Sequence, residues 1–176
     1  VVPEFDERAF REALVNAFGH RDYSLLGRVR VLVDDAGLTI ANPGGFVEGI
    51  NVHNLLTAEP RGRNPCLMDA LKRTGFAERT GRGIDRIFEG ALNYGRPLPD
   101  YSRSNRRGVS VLLPRSVPDK AFVELLAEER ERSGKSMSLD GLLILDKLKS
   151  ERRCGFDVLS GSLDMSDQRL RTVLGS

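Results

Sequence analysis

Apolar side chains recur at Phe10, Leu14 and Phe18, and this fourfold spacing predicts a helix with those three as its buried stripe. Pro3 and Asp6 suit its start, and Gly19 marks its end. Arg28 to Val33 then alternates as a strand does. Asp34-Asp35-Ala36-Gly37 reads as a turn and Leu38 to Ala41 as the returning strand, which makes a β-hairpin. Asn42-Pro43-Gly44-Gly45 is expected to end that strand, because proline lacks a donor and glycine admits positive φ. Residues 46–63 follow neither period and read as a long polar connection, a length usually reserved for lids and binding loops.

Asn64-Pro65 opens a second helix through about Arg73, with asparagine as N-cap and proline at the first position. Gly75 closes it, and Thr80-Gly81-Arg82-Gly83 leads into a third helix from Ile84 to about Tyr94, closed by Gly95. Residues 96–107, rich in Pro, Ser, Asn and Arg, look like an exposed loop. Gly108 to Leu113 is the last strand, stopped by Pro114. Helix, two strands, two helices and a strand imply an α/β (α+β) sandwich, with helices on one face of a mixed sheet.

Beyond Pro118 the texture becomes helical. Ala121 to about Arg132 is a charged helix, and Leu139 to Ser150 a second one with Leu142, Leu143, Leu145 and Leu148 as core. A third begins at Phe156, and Asp164 or Ser166 caps a fourth ending near Leu174. Short helices with a tight turn before the last follow helix-turn-helix rhythm. Two domains are therefore expected, 1–115 and a small all-α domain at 116–176 that is C-terminally incomplete.

Composition narrows the classes. The chain of 176 residues has no run of about 18 apolar residues and no signal peptide, so neither a membrane span nor secretion is expected. Two distant cysteines, Cys66 and Cys154, match no metal spacing and suit a reduced, cytoplasmic setting. With 6% aromatics and no Trp, a base-stacking RNA surface is disfavoured. The net charge of +2 conceals a basic middle: residues 61–115 carry 12 basic and 5 acidic side chains, against 5 and 9 in residues 1–60. Arg61, Arg63, Arg79, Arg82, Arg103, Arg106 and Arg107 fall in predicted loops, where they suit either phosphate contact or a solvated surface.

Glu12, Asn16 and His20 are also four residues apart, so they share a polar helix face. A carboxylate, a carboxamide and an imidazole in a row can orient water, a metal and a phosphate. The same row could be a solvent-facing stripe, with His20 at the helix C-terminus where a cation is welcome. Asn42 to Gly45 could be only a turn, and Gly81-x-Gly83 only a loop before a helix.

Glu-Ala-Leu-Val-Asn-Ala, His-Arg-Asp-Tyr, Asn-Pro-Gly-Gly-Phe, Arg-Asn-Pro and Glu-Arg-x-Gly-x-Gly-Ile occur here in that order. Over roughly residues 3–114 this series resembles the C-terminal region of RecG-helicase-related, AlbA/Schlafen-domain transcriptional regulators. That region is similar to the ATP-binding domain of the GHKL ATPases, a two-layer Bergerat-like sandwich. The resemblance implies that Asn16 holds a Mg²⁺ ion bridging ATP phosphates and that Glu12 orients the attacking water. It implies a nucleotide site of Asn16, His20, Arg21, Asn42, Gly44, Gly45, Arg79, Gly81, Arg82 and Gly83. Asn42 stands where the wider class reads adenine with aspartate, and Phe46 where that class has a glycine. The resemblance also implies a DNA-binding domain ahead of this region and a winged helix behind it. The chain then reads as a fragment, with Gln168, Arg169 and Arg171 as DNA-contacting residues.

Three functions compete. The first is a regulator module in which nucleotide binding controls an attached winged-helix DNA-binding module. The second is a Mg²⁺-dependent, at most weak, ATPase. The third is a degenerate domain used for protein interaction or for self-association as a homo-oligomer. No Gly-x-x-x-x-Gly-Lys-Ser/Thr loop occurs, so a helicase motor is not expected.

Overall fold

A computed structural model of the chain describes residues 4–77, 81–151 and 153–175. The chain divides into two compact units, 1–118 and 119–176. Among the described residues, no helix is long and apolar enough to cross a membrane.

The first unit opens with α1, Glu7–Gly19, whose Asp6 N-cap carboxylate accepts from the Ala9 amide at 2.7 Å. The face expected to be buried is not. Phe18 is 44% exposed, and Phe10 and Leu14 are only half-buried, whereas Ala9, Glu12, Ala13, Val15 and Ala17 are buried. The reason is close packing. A side chain on Gly90 of α3, Gly83–Asn93, would begin 2.8 Å from the Ala9 Cβ, so small residues line the junction where α1 and α3 meet.

Strands β1 (Arg30–Asp34), β2 (Gly37–Pro43) and β3 (Gly108–Pro114) form a sheet in that order, antiparallel throughout. The expected mixed sheet is thus corrected: between β2 and β3 the chain makes a long loop and two helices, and it re-enters antiparallel rather than by a single parallel crossover. Pro43 also continues β2, opposite Gly108. The β1 partner ladder ends at Ala41, so no β1 carbonyl waits for the N–H that Pro43 lacks, and the Pro43 carbonyl accepts from the Asp22 amide at 2.8 Å. Leu38, Ile40 and Asn42 alternate onto the buried face, opposite Leu113, Val111 and Val109.

Helix α2, Pro65–Arg73, starts where Asn64-Pro65 predicts. Asn64 does not cap it. Its carboxamide nitrogen donates instead to the carbonyls of Gly19 (2.9 Å) and Arg21 (2.8 Å), tying the α2 start to the α1 end. The stretch 96–107 is not simply exposed either. Asp100 bridges Leu112 of β3, and Pro99 and Tyr101 are buried.

In the second unit, α4 (Lys120–Ser133) ends at Gly134 in the left-handed conformation. Helices α5 (Leu139–Glu151), α6 (Phe156–Leu163) and α7 (Asp167–Leu174) follow. Leu142, Leu143, Ile144, Leu159 and Leu170 form the core, with Phe122 of α4 also buried. Leu145 and Leu148 are half-buried. Ser166 is the α7 N-cap, while Asp164 closes α6 with φ 50°.

Candidate functional site

The polar face of α1 turns inward. Glu12 is 5% exposed, and Asn16 and His20 are half-buried. All three line one cavity of about 530 Å³ within the first unit. Ile40 and Asn42 of β2 and Val109 and Val111 of β3 contribute its sheet side, and Gly83 the α3 start. Loop residues from Gly45 to Gly62 supply much of the rest.

The α1 and α3 contributions touch. A side chain on Gly83 would begin 3.0 Å from Glu12 Oε2 and 3.6–3.7 Å from the Asn16 carboxamide atoms. Arg86, one turn into α3, pairs with Glu12 at 3.5 Å. The stripe reading of Glu12 is therefore excluded by burial: a carboxylate so placed needs a partner, and Arg86 supplies one. Asn42 is 6% exposed, and its Nδ2 donates to the Pro43 carbonyl at 3.1 Å. That bond orients the carboxamide so that its oxygen is the acceptor offered elsewhere.

Burial, and then the positive charge of Arg63, hold the His20 imidazole below its ordinary pKa. His20 is therefore neutral near pH 7, not a cation complementing the α1 C-terminus. Arg63 itself donates to the Gly45 carbonyl at 2.8 Å and to Asp22 at 3.3 Å. Hydrogen bonds from the Ser24 hydroxyl and amide, with Arg63 and Arg21 nearby, hold Asp22 below the usual carboxylate range.

The cavity thus gathers Glu12, Asn16, His20, Asn42, Gly45, Gly81 and Gly83. Other expected residues lie elsewhere. Arg21 donates to the carbonyls of Leu25 (3.1 Å) and Gly27 (2.6 Å) and covers the Tyr23 ring, bracing its own loop. Gly44, at φ 90°, lies against Asp22, where a side chain would begin 2.6 Å from the Asp22 Cβ. Arg82 pairs with Asp85 and Glu89. Arg79 falls outside the described residues. In the second unit Arg169 makes a two-pronged pair with Asp140, 2.6 Å at each prong, Arg171 covers the Phe156 ring, and Gln168 is exposed.

Sequence reasoning missed the aromatic lining. Tyr101 lines the cavity beside Phe46, is buried, and lies parallel to Phe88 with ring centres 6.4 Å apart. Burial pushes its phenol far above the ordinary range. A single Tyr in a Pro- and Arg-rich stretch carries no periodic signal, though Leu98-Pro99-x-Tyr101 is its one apolar cluster. Lys72, in the last turn of α2, also lines the cavity.

Residues 27–113 match a sequence family described as "Putative ATP-dependent DNA helicase recG C-terminal". This part of the chain is similar to a RecG-related, ATPase-like region. The match includes Asn42 and the Gly81–Gly83 motif but begins after α1, so Glu12, Asn16 and His20 precede it. Among solved structures, the DIP2311 protein from Corynebacterium diphtheriae is similar, with 26% identity and a TM-score of 0.83. The likeness covers 99% of this chain and 37% of that one, so the chain spans little more than a third of that protein's length. No curated protein matches the chain.

Proposed function

We propose that the first unit binds a nucleotide, with its phosphates near the α1–α3 junction and its base beside Asn42. We further propose that occupancy controls the helical unit, a winged-helix-like DNA-binding module of a transcriptional regulator. The observation that carries the reading is the convergence of Glu12, Asn16, Asn42 and Gly83, from three separate elements, on one cavity.

Each group has a fitting task. The Asn42 oxygen can accept from an exocyclic amine, and the apolar side chains of Ile40, Val109 and Val111 suit the flat ring beside it. The start of α3 offers unpaired backbone N–H groups and a positive dipole end to phosphate. Gly83 there leaves room for close approach. The donor set also fits Mg²⁺, a hard ion that takes few protein oxygens: Asn16 would hold it, and no cluster of three acidic or other ligating side chains is required. Bound there, the ion would neutralise phosphate charge. Glu12, buried and held by Arg86, can accept a proton from a water, which keeps weak hydrolysis within this reading.

For the helical unit, the support is α6 and α7 joined through the three residues 164–166, a helix-turn-helix spacing. Arg169 must exchange Asp140 for a DNA phosphate to contribute, and a nucleotide that favours one state could drive that exchange.

Calorimetric titration of ATP and of ADP with Mg²⁺ tests the reading, alongside Asn16→Ala. Saturable binding that the variant loses is the expected result. Flat heats from folded protein would overturn it and favour an interaction domain without ligand. Turnover undiminished in Glu12→Ala would remove Glu12 as the base. A DNA mobility shift that responds to salt and to nucleotide is expected of the coupled module.

A further inference from the structure

We propose that the chain self-associates through β1, which pairs antiparallel with β1 of a second copy in a register centred on Leu32. The starting observation is an open edge. All five residues of β1 are exposed, with Val31, Leu32 and Val33 at 48%, 55% and 59%. Natural edge strands are usually blunted by a central charge, a proline, a bulge or a covering segment. The middle of β1 has no charge and no proline, and its ladder to β2 runs residue for residue without a bulge. The opposite edge of the sheet is covered, since Asp100 and Leu112 exchange two backbone hydrogen bonds of 2.8 Å.

The charges around β1 choose the occupant. Arg28 and Arg30 lie on its N-terminal side, and Asp34 and Asp35 on its C-terminal side. In the antiparallel register with Leu32 facing the partner's Leu32, Arg30 faces the partner's Asp34 and Val31 faces the partner's Val33. Unlike charges directly opposite stabilise a ladder. A parallel pairing would put Arg30 beside the partner's Arg30, which costs stability for the same reason. Arg-Val-Leu-Val-Asp is thus complementary to itself in one direction only.

The backbone allows the same register. An antiparallel strand bonds a neighbour through every other residue, so alternate residues point their amides and carbonyls outward. With Leu32 at the centre, Val31 and Val33 face each other's kind, and so do Arg30, Leu32 and Asp34. Whichever set points outward meets an equivalent set. Val31 and Val33 lie across from Ile40 and Leu38, so the joined sheet would extend the apolar row of the helix side through both copies. A two-fold axis through Leu32 makes the contact isologous, as in most homodimers.

The test separates register from mere stickiness. In a Cys66→Ser, Cys154→Ser background, Leu32→Cys is expected to cross-link with itself under mild oxidation. Directly opposed Cα atoms in such a ladder are about 4.5–5.5 Å apart, within disulfide reach. Val31→Cys alone should cross-link poorly, but readily when mixed with Val33→Cys. Sedimentation over a concentration series should show monomer and dimer, with Arg30→Glu weakening the dimer roughly tenfold and Leu32→Lys abolishing it. Circular dichroism of Leu32→Lys should be unchanged, because Leu32 is exposed. A chain that stays monomeric at every concentration overturns the proposal. So does Val31→Cys cross-linking as fast as Leu32→Cys, which would mean another register. None of these readouts depends on nucleotide.

Discussion

Glu12 and Gly83 meet across two helices: the carboxylate oxygen Oε2 lies 3.0 Å from the point where a side chain on Gly83 would begin. Glu12 is buried and paired with Arg86, so a shift of its carboxylate would disturb that pair. Gly83→Ala is expected to cost about 1 kcal/mol net, the low end of the overpacking range, because the helical backbone gains from replacing glycine. It should also weaken Mg²⁺–nucleotide binding, because the methyl would fill space beside Glu12 and Asn16 that the proposed phosphates approach. Gly161→Ala is the control, since nothing lies within 4 Å of its added carbon and its backbone is already helical. That change should stabilise by about 0.5–1 kcal/mol. Denaturant unfolding of the two variants checks the opposite signs.

Asn64 bonds two carbonyls of the α1 end with one amide group. Asn64→Ala would leave the Gly19 carbonyl, one of the last in its helix, without that donor. A loss of about 1–3 kcal/mol is expected. Asn64→Asp should do worse than alanine, because a carboxylate would face two carbonyl oxygens. Hydrogen exchange of the amides around residues 19–25 should speed up in both variants. Unchanged exchange there would mean that this bond does not hold the loop.

Gly90 sets how close α1 and α3 come. A side chain there would begin 2.8 Å from the Ala9 Cβ and 2.9 Å from Asp6 Oδ1, the α1 N-cap oxygen. Gly90→Val is therefore expected to destabilise more than Gly83→Ala, by roughly 3 kcal/mol, the upper end of the overpacking range. Thermal unfolding would show this as a lowered Tm of the first unit.

His20 makes stability depend on pH. Burial and the Arg63 charge hold its folded pKa below the ordinary imidazole value. The unfolded chain then binds more protons, so stability rises with pH. His20 thus contributes fully above its unfolded pKa, and its contribution falls as pH drops below about 6.5 until the folded imidazole is also protonated. His20→Gln should flatten the stability curve between pH 7 and the folded pKa. A slope identical to that of the parent chain would exclude His20 as its source.

Much of this was legible because local chemistry decided it. Pro65 can only open a helix or break one, and it opens α2; Asp34-x-x-Gly37 suits a tight turn, and the Asp34 carboxylate accepts from the Ala36 amide there. The spacing of Glu12, Asn16 and His20 correctly grouped three cavity residues. What escaped was tertiary. Phe10, Leu14 and Phe18 formed the more apolar stripe, but α3 approaches through Gly90 and accepts only small neighbours. Pro43 looked like a strand breaker because a sequence does not reveal where the neighbouring strand stops. Arg21 and Arg82 looked like phosphate ligands because a guanidinium does not announce its partner. Carbonyls of the 25–27 loop claim the first, and two acidic side chains of α3 claim the second.

The Asp100 bridge has a consequence for what the chain can become. A sheet open at both margins can add copies without limit and grow into a fibre. Here the segment leading into β3 seals one margin at Leu112, leaving β1 as the open one. Once β1 is spent in a two-fold union, the sheet has no open edge left among the described residues. That short backbone clasp would therefore make assembly terminate at two copies, and its removal would turn a finite association into polymerisation.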